Sequence, residues 1–408
     1  MKMNILLINH YAGSPEMGME FRPYYMAKEW QKLGHKVVII AADYSHIRAK
    51  NPQVKRDFST INYGGVEYLW IKTKKYSGNG IGRVLNIFDF TRKLYFRSSF
   101  LAKTYYPDLV IASSTYTTDN YIAKKIAKKA NAKYVYEVHD LWPLSPIELG
   151  GMSTKHPFIL LMQHAEDFAY KNADYVISML PKTKEYMASR GLDLKKWYYV
   201  PNGFSKKQWT TSVALNIETD TQINKLKKQF DFLLAYTGTL GLANNIDILL
   251  DASPYLPNNV AIVLMGEGPD KKRLKNRIKN EELKACFVFD SIQKDEIPSF
   301  LSKMDILYIG LKSEPLFRFG ISPNKMIDYM MAGKPVIQAI NAGNNMVKDA
   351  SCGISIQPDN SQAIVDAVIQ LTSCSETELL KMGKNGQQYA FKHHDYQQLA
   401  KYFLDIVS

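Results

Sequence analysis

The sequence predicts an α/β protein built from two Rossmann-like, doubly wound domains in tandem. Three observations predict it. Short apolar runs alternate with longer amphipathic stretches, the pattern of βαβ units around a parallel sheet. The alternation runs once, pauses near Val200, and starts again. The 408 residues also exceed what one ordinary core organises, at roughly 150 residues per domain. Hydrophobic residues at 46% and charged residues at 22% supply two such cores without staples.

In the first series, Asn4 to Asn9, Lys36 to Ala41, Leu109 to Ala112, Lys133 to Glu137 and Tyr175 to Ser178 read as strands. Arg22 to Leu33, closed by Gly34, and Thr118 to Ala130 read as helices between them. Between Asn51 and Gly82 an excursion around the strand-like VEYLWI interrupts the repeat. After PNGF, the polar stretch Ser205 to Thr221 has few apolar anchors and reads as a linker. The second series has strands at Phe232 to Thr237, Val260 to Met265, Cys286 to Phe289, Ile306 to Leu311 and Pro335 to Gln338. Tyr396 to Val407 is a last helix with no strand after it. The expected division is a first domain over 1–203, a second over 204–392, and a final segment, about 393–408, that packs back on the first. Two such domains set facing strand ends across a cleft, and open α/β sheets bind ligands beyond those carboxyl ends.

Composition narrows the function. Cys286, Cys352 and Cys374 lie far apart without metal-ligand spacing, which argues against a disulfide framework or a zinc site and for a reducing compartment. The apolar run in MKMNILLINHY is shorter than a signal-peptide core, and no segment approaches the roughly 18 apolar residues that span a bilayer. The expected location is the cytoplasm. A net charge of +13 calls for an anionic partner: nucleic acid, lipid head groups or a phosphorylated substrate. The basic residues are spread over many helices and no nucleic-acid module is recognisable, so nucleic acid is not expected.

Candidate chemistry sits at the strand ends. The loop NHYAGSPEMGMEFRP follows the first strand and carries Gly13, Glu16, Gly18 and Arg22, the last at the start of a helix, and Asp140 is grouped with them as a contact for the same ligand. Glycines let a backbone approach a ligand and a helix N-terminus favours an anion, so this is a candidate acceptor or diphosphate loop, although a bare turn needs no function. It lacks the G-x-G-x-x-G spacing of a dinucleotide enzyme. His139 and Asp140 close the strand in YVYEVHDLWP, where a histidine can bond a sugar hydroxyl, shuttle a proton, or simply satisfy neighbouring carbonyls. Gly238 and Gly241 follow one strand of the second series, and Gly266, Gly268 and Pro269 the next.

The sharpest segment is FRFGISPNKMIDYMMAGKPVIQ. Ser322 reads as an N-cap and Pro323 as the first helical residue, so free N–H groups point at whatever lies in front. Lys325 in that first turn opposes the helix dipole, which an anionic ligand explains better than helix stability does. Arg318 adds a loop cation. Asn324, Lys325 and Asp328 share a face, so a carboxylate can hold ribose hydroxyls while Lys325 holds phosphates, the alternative being a solvated Lys–Asp pair.

In order along the chain, the glycine loop with Arg22, LGHKVVII, EVHDLWP, ADYVIS, VPNGF, YTGTLG, MGEGP and YMMAGKPVI resemble family-4 glycosyltransferases over essentially the whole sequence. Within them the chain looks most like the WbuB-like subgroup of bacterial surface-polysaccharide (O-antigen and capsule) assembly. The resemblance implies a GT-B fold, retention of anomeric configuration, no cofactor and no required metal. It implies a UDP-sugar donor, in particular an N-acetylated amino sugar, and a lipid-linked or oligosaccharide acceptor. The first domain would bind the acceptor and the second the nucleotide sugar. His139 would face the donor sugar, Thr239 and Gly241 the diphosphate, Ile292 the base through its backbone, and Asp328 the ribose, with Lys325 stabilising the departing diphosphate. Three positions depart from the family. Gly320 stands where the earlier of two glutamates belongs, and Thr239 and Asn245 where an arginine and a lysine clamp the diphosphate. These departures keep a catalytically inactive nucleotide- or glycan-binding protein open beside the transferase, as a UDP-sugar epimerase-like enzyme on the same architecture also is.

Between Gly80 and Tyr106, Arg83, Arg92, Lys93, Arg97 and Lys103 alternate with nine apolar and aromatic residues. This reads either as a helix resting on anionic lipid at the inner face of the cytoplasmic membrane, or as a crossover helix with its aromatics in the core.

Overall fold

A computed structural model describes residues 2–78, 80–211 and 213–408. Met1, Asn79 and Ser212, which fall within the first-domain, excursion and linker ranges above, lie outside the described residues. The chain forms two compact units, one of Met1–Asn202 with Tyr396–Ser408 and one of Gly203–Asp395.

The first unit is built on eight strands: β1 (Asn4–Ile8), β2 (Lys36–Ala42), β3 (Ser59–Tyr63), β4 (Val66–Ile71), β5 (Leu109–Ala112), β6 (Lys133–Val138), β7 (Tyr175–Ser178) and β8 (Trp197–Tyr199). Their order in the sheet is β3-β4-β2-β1-β5-β6-β7-β8. Every neighbouring pair is parallel except β3 and β4, the antiparallel hairpin that constitutes the excursion. Gly64 and Gly65 turn that hairpin at φ 57° and 89°, the left-handed pair a two-residue turn demands. Because β1 leads to β2 on one side and β5 follows on the other, the sheet's topological switch point lies between β1 and β5.

The helix Tyr396–Val407 buries Tyr396, Leu399, Ala400, Phe403, Leu404 and Val407, a three-four repeat along one stripe. That stripe completes the core formed by Ile5, Leu7, Met26, Trp30 and Ile39. The Trp30 indole N–H donates to the Ala400 carbonyl at 3.0 Å and its ring meets Phe403 edge-on. A terminal helix with no strand to follow thus finds its partner in the helix Arg22–Lys32.

The second unit carries β9 (Phe232–Thr237), β10 (Val260–Met265), β11 (Cys286–Phe289), β12 (Ile306–Gly310), β13 (Val336–Ala339) and β14 (Gly353–Ile356), all parallel in the order β11-β10-β9-β12-β13-β14. Leu233 and Ala235 of β9 face one core and Leu234 and Tyr236 the other, as period-two alternation requires of a sheet covered on both faces. The linker expected over Ser205 to Thr221 is not one. Helices Lys206–Thr210 and Ile217–Lys227 occupy it, and Phe204, Leu215, Ile223 and Leu226 are buried in the second core. Widely spaced anchors in a polar stretch hid that packing from the sequence. Among the described residues, no helix is long and apolar enough to cross a membrane.

Candidate functional site

In the second unit the switch point falls between β9 and β12, and the glycine turns after β9 and β10 lie at its carboxyl edge. Gly238 (φ 128°) donates its N–H to the Met265 carbonyl at 2.9 Å. A methyl on Gly266 (φ 152°) would overlap the Gly238 carbonyl, so these two glycines let adjacent turns nest. Gly241 is extended at φ −154° and a methyl there would make ordinary contacts, so the fold itself does not require glycine at that position.

The helix Asn324–Met331 follows β12 through a loop and aims its first turn back at Gly238. Its N-cap is Pro323 (φ −74°, ψ 128°), with no side-chain cap. The expectation that Ser322 caps and Pro323 opens the helix is therefore one residue early, because the fixed proline φ suits the extended cap position equally well. Lys325 lies in the first turn. Its ammonium donates to the Tyr236 hydroxyl at 2.7 Å and to Asn244 Oδ1 at 2.9 Å, and stands 4.2 Å from the Tyr236 ring centroid. Both partners are neutral, and burial pulls its pKa down to about 7. Tyr236 and Asn244 each donate to the Thr239 carbonyl, at 2.8 and 3.0 Å, which closes the loop 238–244 around the lysine.

Asn245, one of the two positions where a family cation was expected, takes φ 50° and donates to Asp359 Oδ1 at 2.6 Å, away from Lys325. Its neighbour Asn244 is the residue that meets the lysine. Gly320, at φ 96° and ψ 173°, occupies backbone space closed to residues with a Cβ. The missing glutamate is thus a different turn rather than a point change.

Asp328 is buried and pairs with Lys294, whose Nζ lies 2.6 Å from Oδ2. The solvated Lys325–Asp328 pair does not form: the two engage different partners. Ile292, half-buried, packs against the same core two residues before Lys294. Arg318 is exposed, donates to the Pro315 carbonyl at 2.7 Å and lies 4.3 Å from the Phe319 ring centroid, so its guanidinium is engaged within its own turn. Ser322 is half-buried and Asn324 exposed.

In the first unit a polar network gathers at the ends of β1, β5 and β6. Arg22 is 3% exposed and donates through Nε and Nη2 to Glu137 Oε1 at 3.0 and 2.9 Å, and to the Val200 and Pro201 carbonyls. It therefore braces the loop from inside, against the expectation that it is offered to a ligand. Burial alone would raise Glu137, but Arg22, His139 and the Ser113 hydroxyl hold it well below the usual carboxylate range. Ser113 donates to Glu137 Oε2 at 2.7 Å and so accepts from His139 Nε2 at 2.9 Å. His139 Nδ1 lies 3.8 Å from Glu20 Oε2. Burial opposes its protonation, yet Glu137 and Glu20 raise its pKa on balance. The histidine bonds the side chains of Ser113 and Glu137 rather than neighbouring carbonyls. Asp140 and Glu16 are exposed.

The loop before Arg22 runs through three left-handed residues, Gly18, Met19 and Glu20, at φ 70°, 57° and 49°. Two are not glycine, and such outliers store of order 1 kcal/mol each where a site over-determines them. Buried Arg48 donates to the Ala12, His10 and Ala42 carbonyls, and Tyr68 donates to the Gly13 carbonyl at 2.6 Å. Sequence reasoning missed Lys294, Tyr236, Asn244, Glu20 and Arg48. It had a signal for Glu137 alone, as a charge inside a fully buried parallel strand must be paired.

Residues 17–203 match the family described as "Glycosyl transferase 4-like domain", and residues 217–389 match "Glycosyl transferases group 1". A curated protein, probable glycosyltransferase WbjE of Pseudomonas aeruginosa, is 21% identical over 250 residues, 59% of this chain; the chain spans 60% of the length of that relative. Sucrose-phosphate synthase from Thermosynechococcus elongatus superposes with a TM-score of 0.75 at 16% identity, over 99% of this chain and 98% of that one. HepE of Anabaena, solved with UDP and glucose, does so at 0.67, also at 16% identity and with the same coverage. The fold is that of the GT-B glycosyltransferases: two parallel Rossmann-like sheets.

Proposed function

We propose, because this chain belongs to the group 1 glycosyltransferases, that it moves a sugar from a UDP-linked donor onto a lipid-linked or oligosaccharide acceptor with retention of configuration. The observation that carries the reading is Lys325, a cation with two neutral partners, set in a first helical turn beside a glycine turn at a switch point. A diphosphate suits that place. Its growing charge as the sugar departs is stabilised by the ammonium and by the free N–H groups of the helix, with Ser322, Pro323 and Asn324 shaping the approach. Gly238, Thr239, Gly241 and Gly266 line the same edge, Asp328 accepts the ribose hydroxyls, and the Ile292 backbone meets the base. HepE, of the same fold, was solved with UDP bound, which supports the choice of nucleotide. The sugar, following the WbuB-like landmarks, is an N-acetylated amino sugar, and the reaction needs no metal. In the first unit, His139, oriented by Ser113 and Glu137, donates to a sugar hydroxyl, while Gly13, Glu16, Gly18 and Asp140 form the acceptor loop that Arg22 braces.

The lipid-linked acceptor is supported by the helix Ile81–Tyr105, whose apolar side chains divide between two faces. Ile87, Phe90, Leu94 and Leu101 are buried inside. Ile81, Val84, Leu85, Phe88, Tyr95, Phe96 and Phe100 form an exposed stripe on the other side, with Ile81, Phe88 and Phe96 at 79, 61 and 75%. Exposed Arg92, Arg97 and Lys103 are interspersed with it. A core needs only the inner stripe. The outer one, apolar and cationic together, is suited to an anionic bilayer surface on the cytoplasmic side, and the chain acts there as a peripheral protein.

The test is UDP release from a panel of UDP-hexoses and UDP-N-acetylamino sugars, with EDTA and an acceptor-bearing lipid extract, and NMR of the product anomer. Acceptor-dependent release with the donor's configuration kept is expected. Consumption of the donor without acceptor would indicate an epimerase, and nucleotide binding without turnover an inactive binding protein.

A further inference from the structure

We propose that Lys294 is a positioning residue of the nucleotide site: its ion pair with Asp328 decides which carboxylate oxygen meets the ribose. The inference rests on the reading of Asp328 as the ribose acceptor and adds to it the residue that orients it.

Lys294 Nζ lies 2.6 Å from Asp328 Oδ2, with only 17 and 11% of the two side chains exposed. Among the described residues, Oδ1 accepts no hydrogen bond. The lysine is delivered by a loop that is itself tied down. Gln208 donates to the Lys294 carbonyl at 3.0 Å, and the Val213 N–H to the Asp295 carbonyl at 3.2 Å. The N–H of Gln293 and that of Asn216 both reach the Glu296 carboxylate, at 2.8 and 3.3 Å. The same loop holds Ile292 against the core. The pair therefore joins the loop read as contacting the base to the helix that carries the carboxylate.

An aspartate has two side-chain torsions, and an anchored cation on one oxygen fixes both. A free carboxylate can take the two vicinal hydroxyls of a ribose evenly, one on each oxygen. With one acceptor site of Oδ2 taken by Lys294 and its charge partly neutralised, Oδ1 is the stronger acceptor presented to the diol, so one hydroxyl makes the strong charge-assisted bond and the other a weaker one. The consequence is unequal dependence on the two hydroxyls.

Calorimetric titration of the full chain with UDP, 2′-deoxy-UDP and 3′-deoxy-UDP tests this, on the wild type, Lys294→Met, Lys294→Arg and Asp328→Ala, each first checked for a cooperative melt. The wild type should lose about tenfold or more in affinity for one deoxynucleotide and no more than about threefold for the other, the scale of one hydrogen bond to a charged group. Lys294→Met should bring the two losses to within about threefold of each other, and Lys294→Arg should restore the gap. No gap in the wild type, a gap unchanged in Lys294→Met, or equally tighter binding of all three nucleotides by that variant overturns the proposal, the last marking Lys294 as a competitor for the carboxylate. If Asp328→Ala removes the discrimination while Lys294→Met leaves it, only the role of Lys294 fails. If Asp328→Ala still discriminates, the ribose reading fails with it.

Discussion

Binding of UDP at pH 8 should take up close to one proton, and Lys325 should be its destination. Burial holds that amine at about 7 beside two neutral partners, so at pH 8 roughly one tenth of the free protein carries the charge. A diphosphate beside the ammonium favours the charged form and returns its pKa toward the ordinary 10.5 or so of lysine. Binding then draws about 0.9 proton per nucleotide at pH 8, and affinity falls roughly tenfold between pH 8 and 9. Phosphate second ionisations lie near 6, so the diphosphate does not titrate in this window; the uracil N3–H begins to ionise near pH 9, and the Lys325→Met variant carries that contribution alone. Calorimetry in two buffers of different ionisation heat counts the protons directly. Lys325→Met should bind UDP weakly, with no uptake and a flat pH dependence from 7.5 to 9. A wild-type affinity that is level across that range, with no net uptake at pH 8, would refute the assignment of the diphosphate to Lys325.

Glu166 is buried among Tyr170, Tyr186 and Gln163, and burial raises its pKa from 4.5 to about 7. The folded state keeps a proton that the unfolded chain releases, so stability is full below about pH 4.5 and falls as pH rises to 7. Glu166→Gln should remove about 2.5 kcal/mol of that decline between urea titrations at pH 5 and 8, and an identical pH dependence in both proteins would count against it. Arg22→Met leaves Glu137 buried without its cation and should cost about 3 to 5 kcal/mol in urea melts. Arg22→Lys should recover little of this, because an ammonium cannot match the fork that also reaches two carbonyls. Phe88→Glu with Phe96→Glu should abolish flotation with anionic vesicles at low salt while shifting the melting temperature by no more than a degree or two. Undiminished flotation would remove the outer stripe of the helix from the membrane.

What the sequence made legible follows from periodicity. Strands such as Leu109–Ala112, Tyr175–Ser178, Phe232–Thr237 and Val260–Met265 stand in the structure with the bounds expected of them, because short, nearly continuous apolar runs opened by an Asp or Asn admit few other readings. The short strands Trp197–Tyr199 and Gly353–Ile356 went unread. They sit at the sheet edges, where half-burial blurs the pattern. Lys325 and Asp328 were legible because their spacing fixes their place on one helix. Their partners were not: Lys294 is 34 residues from Asp328, and Tyr236 is 89 from Lys325. Contacts at that separation are set by sheet order, which local pattern does not encode. The same holds for Arg22, whose position at a helix start suggested a ligand. Its 115-residue reach to Glu137 makes it internal instead.

We propose that the second unit holds a UDP-linked donor between Lys325 and Asp328. A thermal-shift titration with UDP, GDP and ADP, with and without EDTA, on the wild type, Lys325→Met and Asp328→Ala tests it most directly, since a ligand that binds only the folded state raises its melting temperature by mass action. Stabilisation by UDP should survive EDTA, exceed that by the other nucleotides and fall severalfold, without vanishing, in both variants. Stabilisation undiminished in both variants, or no response to any nucleotide, would overturn the assignment.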